Sequence, residues 1–396
     1  MLVKPVRARA IALYRDAFGA APRVAASAPG RVSLLGEHTA YNGGPVLLVA
    51  AGERAVVAVG PGEPETLEVV SEPGGERERH PLGDARPGSR AAYLAGVLRE
   101  LRALGAAPAG GVRVAVASDV PTGLGPSAAF AVALARALSL LAGADITGRR
   151  LAGVAFRAER DHAGIPSGVM DHTTVALARR DQALLVEAAS ADWRRVPLGG
   201  VLFVVELGPE GARRDAVALL ERRRVECEAA LVRLRVELPE LFWLASWPTP
   251  WIARLKKALP EPLRSRALHV IGETARARFG AELLARGRRK QFGDLLYESH
   301  ESSRRLYECS APALDLVVAT AKRAGALGAR LTGLAGNAVV VLLRNQAGGS
   351  AVRIASAIRR ALARPPGIEA VITAVRPGGG VRREAVRLGS ARRSSR

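Results

Sequence analysis

Apolar positions along this chain follow two periods, and each marks a kind of element. Over residues 5–19, Ile11, Leu13, Tyr14 and Phe18 fall on one helical face and the run stops at Gly19, which predicts an amphipathic entry helix. Near-continuous apolar runs at 45–51, 55–59, 66–70 and 112–117 read as buried strands. Between 72 and 88 the chain is charged and rich in Gly and Pro, which predicts a surface loop, and 91–104 returns to helical spacing. Further on, the pattern predicts strands at 183–186 and 201–205, an Arg/Glu-rich helix over 212–234, an amphipathic helix over 351–362 and a last strand over 370–375. Trp243, Trp247 and Trp251, spaced by four, read as core packing rather than a ligand platform.

Three polar, glycine-bearing stretches interrupt this pattern. The first, SAPGRVSLLGEHTAYNGG at 27–44, sets Arg31, Glu37, His38, Tyr41 and Asn42 among Gly30, Gly36, Gly43 and Gly44 just before an apolar strand. It reads either as a binding turn or as a glycine-rich hairpin with solvated charges. In the second, DVPTGLGPSAAF at 119–130, a strand leads through a glycine loop into an alanine-rich helix. Backbone N–H groups at such a helix start form an anion site, although many glycine loops simply open buried helices. The third, AERDHAGIPSGVMDH at 158–172, puts Asp171 near the start of another apolar helix, where it serves equally well as a first-turn acid or N-cap.

Composition changes the picture in only a few places. A chain of 396 residues with 48% hydrophobic content can bury a large core, here expected in two domains. No apolar run is long enough to span a bilayer, and the N-terminus lacks the apolar region of a signal peptide. Cys227 and Cys309 lack metal-like spacing, so they read as small buried hydrophobes in a reducing cytosol. The net charge of +21 comes from arginines spread along the chain, and with aromatics at 4% the residues expected to stack bases are scarce. Solvated helix faces therefore explain the charge better than nucleic acid does. The exception is the Gly/Ser/Arg-rich tail from Arg376, whose last residues are expected to be disordered.

The first stretch resembles the opening signature of galactokinases in the GHMP small-molecule kinase superfamily, roughly APGRVNLIGEHTDYNGG, departing at Ser33, Leu35 and Ala40. The second is similar to the superfamily phosphate loop, approximately DVPLGAGLSSSAAL, with Ser127 the one hydroxyl left of three. The third resembles the galactokinase segment GxxCGIMDQ, with Ser167 for Cys and His172 for Gln. Residues 223–230 are similar to the end of YNERRxECEAA, with Leu220 at the tyrosine, and 328–343 to ARLTGAGFGGCAVAL, shortened by two residues.

The resemblance implies an α+β chain with the two-domain GHMP kinase fold, a ribosomal-protein-S5-like N-terminal domain over 1–205 and a ferredoxin-like C-terminal domain over 206–380, then a basic disordered tail over 381–396. It implies an ATP-dependent sugar kinase, monomeric and cytoplasmic, using Mg²⁺, with nucleotide and substrate sites in the cleft between the domains. By position, Asp171 is the base for the sugar hydroxyl and Arg31 its cationic neighbour; Glu37, His38, Gly168 and Asp171 contact the sugar. Gly123, Gly125 and Ser127 hold ATP phosphates, and Ser127 with Glu159 holds the metal. His269 and His300 are expected to be structural. Ala40 lacks a carboxylate that accepts galactose hydroxyls in the family, and Leu220 lacks a second sugar neighbour. Together with the loss of serines in the phosphate loop, these departures keep open a second reading, a kinase-like sensor that binds sugar without turnover.

Overall fold

The computed structural model describes residues 4–81, 89–165, 167–209, 211, 215–333, 336–344, 348–363 and 367–386. They fall into two compact units that interleave in sequence. The first comprises Met1–Gly30, Gly52–Leu177 and Gly379–Arg396; the second comprises Arg31–Ala51 and Ala178–Gly378. The division expected at residue 205 is thus not how the chain partitions: two long strands each contribute segments to both units, and the C-terminus rejoins the first.

In the first unit, α1 (Val6–Phe18) buries Ala10, Ile11 and Tyr14 and ends at Gly19, whose φ of 67° lets its N–H reach the Arg15 carbonyl. Strands β1 (Val24–Leu35) and β2 (Pro45–Pro61) follow. The two apolar runs at 45–51 and 55–59 form one strand, because the polar notch between them is itself held. Arg54 is buried there and donates from Nε to Ser27 Oγ at 2.8 Å and from Nη2 to the Ser27 carbonyl at 2.9 Å. β3 (Thr66–Ser71) pairs antiparallel with β4 (Arg77–Pro81), so part of the expected 72–88 loop is strand; residues 82–88 lie outside the described residues. α2 (Arg90–Arg102) leads to β5 (Val112–Ser118), which lies between β2, antiparallel, and β3, parallel. Three helices, α3 (Pro126–Leu141), α4 (Gly148–Arg157) and α5 (Val169–Leu177), complete the core with α2. That core is built largely from Ala, Val and Leu, and α3 buries seven of its positions as alanine or serine, which lets its neighbours approach closely.

The second unit starts from the 31–51 segment. β6 (Gln182–Glu187) pairs with β2 over Pro45–Val49 and with β7 (Trp193–Pro197). After β8 (Leu202–Leu207) come the helices α6 (Ala216–Leu234), α7 (Leu255–Ala258), α8 (Leu263–Ala285), α9 (Arg289–Arg305) and α10 (Pro312–Arg323). β9 (Gly328–Thr332), β10 (Ala338–Leu342), α11 (Gly348–Leu362) and β11 (Ala370–Val375) close it, giving a four-stranded antiparallel sheet in the order β11-β8-β10-β9. Of the three spaced tryptophans only Trp247 is fully in the core. Trp243 is 39% exposed and lies against Gly43, where an added Cβ would come within 2.2 Å of the ring.

β12 (Arg382–Glu384) then pairs antiparallel with β1 in the first unit. This corrects the expectation of a disordered segment from 381. Ser27 Oγ donates to Glu384 at 2.6 Å, and Arg54 donates to the carbonyls of Gly379 and Gly380 at 2.9 and 2.8 Å. An Arg/Gly-rich composition carries no sign of a strand added 357 residues away. Residues 387–396 lie outside the described residues.

Candidate active site

The phosphate-loop stretch folds as its pattern predicts. After β5, residues Thr122–Leu124 make a single tight turn, Gly125 takes φ 66°, and Pro126 opens α3 at a position that needs no N–H donor. Gly30 of the opening signature packs against this loop. A Cβ there would meet the Leu124 carbonyl oxygen and Val120 Cγ1, each at 2.8 Å. The glycine is required by close approach of backbone to backbone.

Behind the loop stands a small buried polar cluster. The π-helical turn Ala158–His162 carries Glu159, which is 1% exposed. Its Oε2 lies 2.5 Å from Nε2 of His172 on α5, and its Oε1 accepts from the Tyr93 hydroxyl at 3.5 Å. The same hydroxyl interacts with Ser127, so Tyr93 links the loop to the carboxylate. Burial and the Glu159 carboxylate together push the Tyr93 phenol well up, keeping it neutral. Asp171 is half-buried in the first turn of α5, its N–H donating to the Gly168 carbonyl at 3.3 Å.

The signature's second half belongs to the other unit and is held differently. Gly36 has φ 93° and no room for a Cβ, which would lie 2.3 Å from the Pro45 carbonyl oxygen; His38 is left-handed at φ 63°. Each residue of this turn is tied to buried groups. The Gly36 N–H donates to Glu273 Oε1 at 2.9 Å, the Glu37 carbonyl lies 3.3 Å from His269 Nε2, and Glu37 Oε2 accepts from Arg330 Nη1 at 3.2 Å. His38 Nδ1 sits 3.0 Å from the Tyr41 hydroxyl, and its ring lies 4.6 Å from that of Tyr307. The two tyrosine hydroxyls are 2.7 Å apart.

Electrostatics follow from burial. Desolvation, reinforced by the nearby His269, Arg330 and Arg223, holds His38 well below its ordinary pKa, so it is neutral. Desolvation likewise takes His269 down to about 4. Burial alone would raise Glu273, but Arg276, at 2.7 Å, together with Arg330 and the Ser299 hydroxyl holds it at about 2. Beside His38 a narrow cavity is lined by Leu219, Leu220, Cys309 and Leu331, with Gly333 and Gly336 of the third motif.

Comparison with known proteins agrees with this geometry. Residues 12–61 match the galactokinase galactose-binding signature, 92–179 the GHMP kinases N-terminal domain and 281–363 the GHMP kinases C-terminal domain. A galactokinase from Roseiflexus sp. (strain RS-1) is 37% identical over 81% of this chain and 83% of its own length. The human galactokinase is 36% identical over 89% of this chain and 91% of its own. The chain belongs to the galactokinase family. Lactococcus lactis galactokinase, solved in complex with galactose, has the same fold with a TM-score of 0.86 at 23% identity, covering 96% of this chain and all of that one. A mevalonate kinase follows at a TM-score of 0.61, 17% identity and 89% of this chain.

The α+β GHMP kinase fold and a carbohydrate kinase of galactokinase type, using ATP with Mg²⁺, follow from this membership. The chain's own residues fit the metal: Glu159 offers a buried carboxylate whose Oε1 is only loosely held, and Ser127 adds a hydroxyl on the same tyrosine. Among the described residues no cluster of three or more His, Cys, Asp or Glu could cage an ion. Two oxygen ligands suit Mg²⁺, which keeps waters and substrate phosphates as its other partners.

Of the site residues expected from the sequence, the first unit holds Gly123, Gly125, Ser127, Glu159, Gly168 and Asp171; the second holds Arg31, Glu37 and His38. Ser127 and Glu159 come together through Tyr93, and Glu37 and His38 share one buried turn. His269 and His300, expected to be structural, are both engaged by buried neighbours, the latter 3.2 Å from Asp315 and accepting from the Leu331 N–H at 3.4 Å. Tyr93, Tyr307, Glu273 and Arg330 were missed. Arg330 stands inside the 328–343 stretch that resembles the family, and a charge in the apolar run of β9 was the available signal. Tyr93 offered none. No helix among the described residues is long and apolar enough to cross a membrane.

Proposed function

We propose that the acceptor is galactose or a closely related hexose and that the chemistry is divided between the residues above. The observation that carries this reading is the Gly36–His38 turn, a galactose-binding signature whose two polar side chains are buried and fixed by their neighbours. Glu37 and His38, with Gly168 and Asp171, bind the sugar. Its hydroxyl is a poor nucleophile, and Asp171 orients it and takes its proton. Arg31 offsets charge on the transferred phosphoryl group. Gly123, Gly125 and the N–H groups opening α3 cradle the ATP phosphates. Ser127 and Glu159 hold Mg²⁺, which when bound neutralises charge on those phosphates.

Specificity is where this chain departs from its family. Ala40, on the short turn Ala40–Asn42, and Leu220, on the wall of the His38 cavity, supply neither a carboxylate nor a phenol to a sugar. A missing charged acceptor typically weakens binding by about 1.5–3 kcal/mol, so galactose is expected to react slowly or to be outrun by a related sugar. ADP release measured over a panel of hexoses and hexosamines tests this. Galactose as the clear best substrate overturns the specificity, and no sugar-dependent release with any of them overturns the function. The protein is further expected to be a monomer and cytoplasmic, the latter in keeping with the buried thiols of Cys227 and Cys309.

A further inference from the structure

Arg330 has no role in the reading given so far, yet it is among the largest fully buried side chains in the described structure, with 0% exposure on β9. A guanidinium cannot shed its proton, so its burial demands a counter-charge. Glu37 Oε2 supplies one at 3.2 Å from Nη1, in a side chain that is itself 6% exposed. Nε and Nη2 of Arg330 are buried and have no hydrogen-bond partner among the described residues. The guanidinium is therefore committed to a single carboxylate, the one expected to receive a sugar hydroxyl. The surrounding charges support the same arrangement. Arg330 also acts on His38, His269, Glu273 and His300, so one cation faces four titratable groups packed around the turn.

We propose that Arg330 is a positioning residue for sugar binding: its buried ion pair with Glu37 fixes where that carboxylate points, and Arg330 itself does not touch the sugar. The inference rests on the reading that Glu37 contacts the sugar. Three of the turn's supports, those at Gly36 and Glu37, differ in kind. Glu273 and His269 hold its backbone, at the Gly36 N–H and the Glu37 carbonyl, whereas Arg330 alone among the three holds a side chain. Removing Arg330 should leave the turn in place and free the carboxylate to swing. The loss should then fall on sugar affinity and spare the nucleotide.

The test compares Arg330→Met, Arg330→Lys, Glu37→Gln and the double variant Glu37→Gln/Arg330→Met. Sugar and ATP KM, kcat, and sugar binding by calorimetry without nucleotide are measured for each, using the best sugar from the panel. Arg330→Met is expected to raise sugar KM and Kd about 10- to 100-fold with ATP KM within about twofold. Arg330→Lys should recover part of that loss. The double variant should bind sugar no worse than Glu37→Gln alone, because the arginine acts through the glutamate. Losses that multiply in the double variant, or an unchanged sugar Kd in Arg330→Met, overturn the proposal. If Arg330→Met does not fold, Arg330→Gln decides it, since an unchanged sugar Kd in that uncharged variant overturns the proposal equally. Should Glu37→Gln leave sugar Kd unchanged, the sugar-binding reading of Glu37 itself fails, an outcome distinct from failure of Arg330 alone.

Discussion

The two stretches that carry the expected site residues are built on different principles. The phosphate loop in the first unit depends on backbone: glycines that permit close approach, a helix start, and a single hydroxyl backed by Tyr93 and Glu159. The Gly36–His38 turn in the second unit, proposed to bind the sugar, depends on buried side chains, with Glu273, His269, Arg330 and Tyr307 each meeting one point of the loop. Backbone N–H groups suit a polyanion whose every face is acceptor oxygen. Sugars differ from one another only in the placing of hydroxyls, and discriminating them takes fixed donors and acceptors. Mutations in the first region should therefore register in kcat and in ATP or Mg²⁺ dependence, and those in the second in sugar affinity.

The largest expected effect is at Asp171. Asp171→Asn should lower kcat about 10²- to 10⁴-fold while calorimetric sugar binding persists, and a variant that keeps wild-type turnover removes the base from this residue. Acid stability sharpens the contrast from the other side. His269 is depressed in the folded state from 6.5 to about 4, so it contributes stability that is present above 6.5 and lost as pH falls to about 4. Glu273, depressed from 4.5 to about 2, extends the loss below that range. The histidine alone is worth about 3 kcal/mol by linkage, and denaturant titrations between pH 7 and 4 should show that slope flattened in His269→Gln.

Restoring a family acceptor tests the sugar side by gain. Ala40→Asp should raise kcat/KM for galactose about tenfold or more with ATP KM unmoved, and no gain would locate the specificity change elsewhere. Smallest is Gly30→Ala. Its Cβ would press on the Leu124 carbonyl at 2.8 Å, for an expected loss of about 1–3 kcal/mol in unfolding free energy and a rise in ATP KM larger than that in sugar KM.

Much of the fold was legible because its signals are local. The entry helix and its Gly19 stop, the loop into α3, the first-turn Asp171 and the strands β5, β8 and β11 lie where the apolar periods put them. Legibility failed where a segment gains its structure from a distant partner. The charged residues 77–81 become a strand by pairing with β3, and 382–384 by pairing with β1. Trp243 follows the same helical spacing as Trp247, yet it packs on Gly43 and stays partly exposed.

For the candidate site, the sequence by itself picked out the residues proposed to carry chemistry: the glycines whose absent side chains make room, the carboxylates at 37, 159 and 171, and the histidine at 38. Their types and local spacing are enough, since turn geometry and helix starts are set within a few residues. Only the tertiary structure decided what holds them. Arg330 lies 293 residues from Glu37 and Tyr93 lies 66 from Glu159. Partnerships at such separations are fixed by the packing of whole elements and by the need of every buried charge for a counter-charge, and no local pattern encodes either.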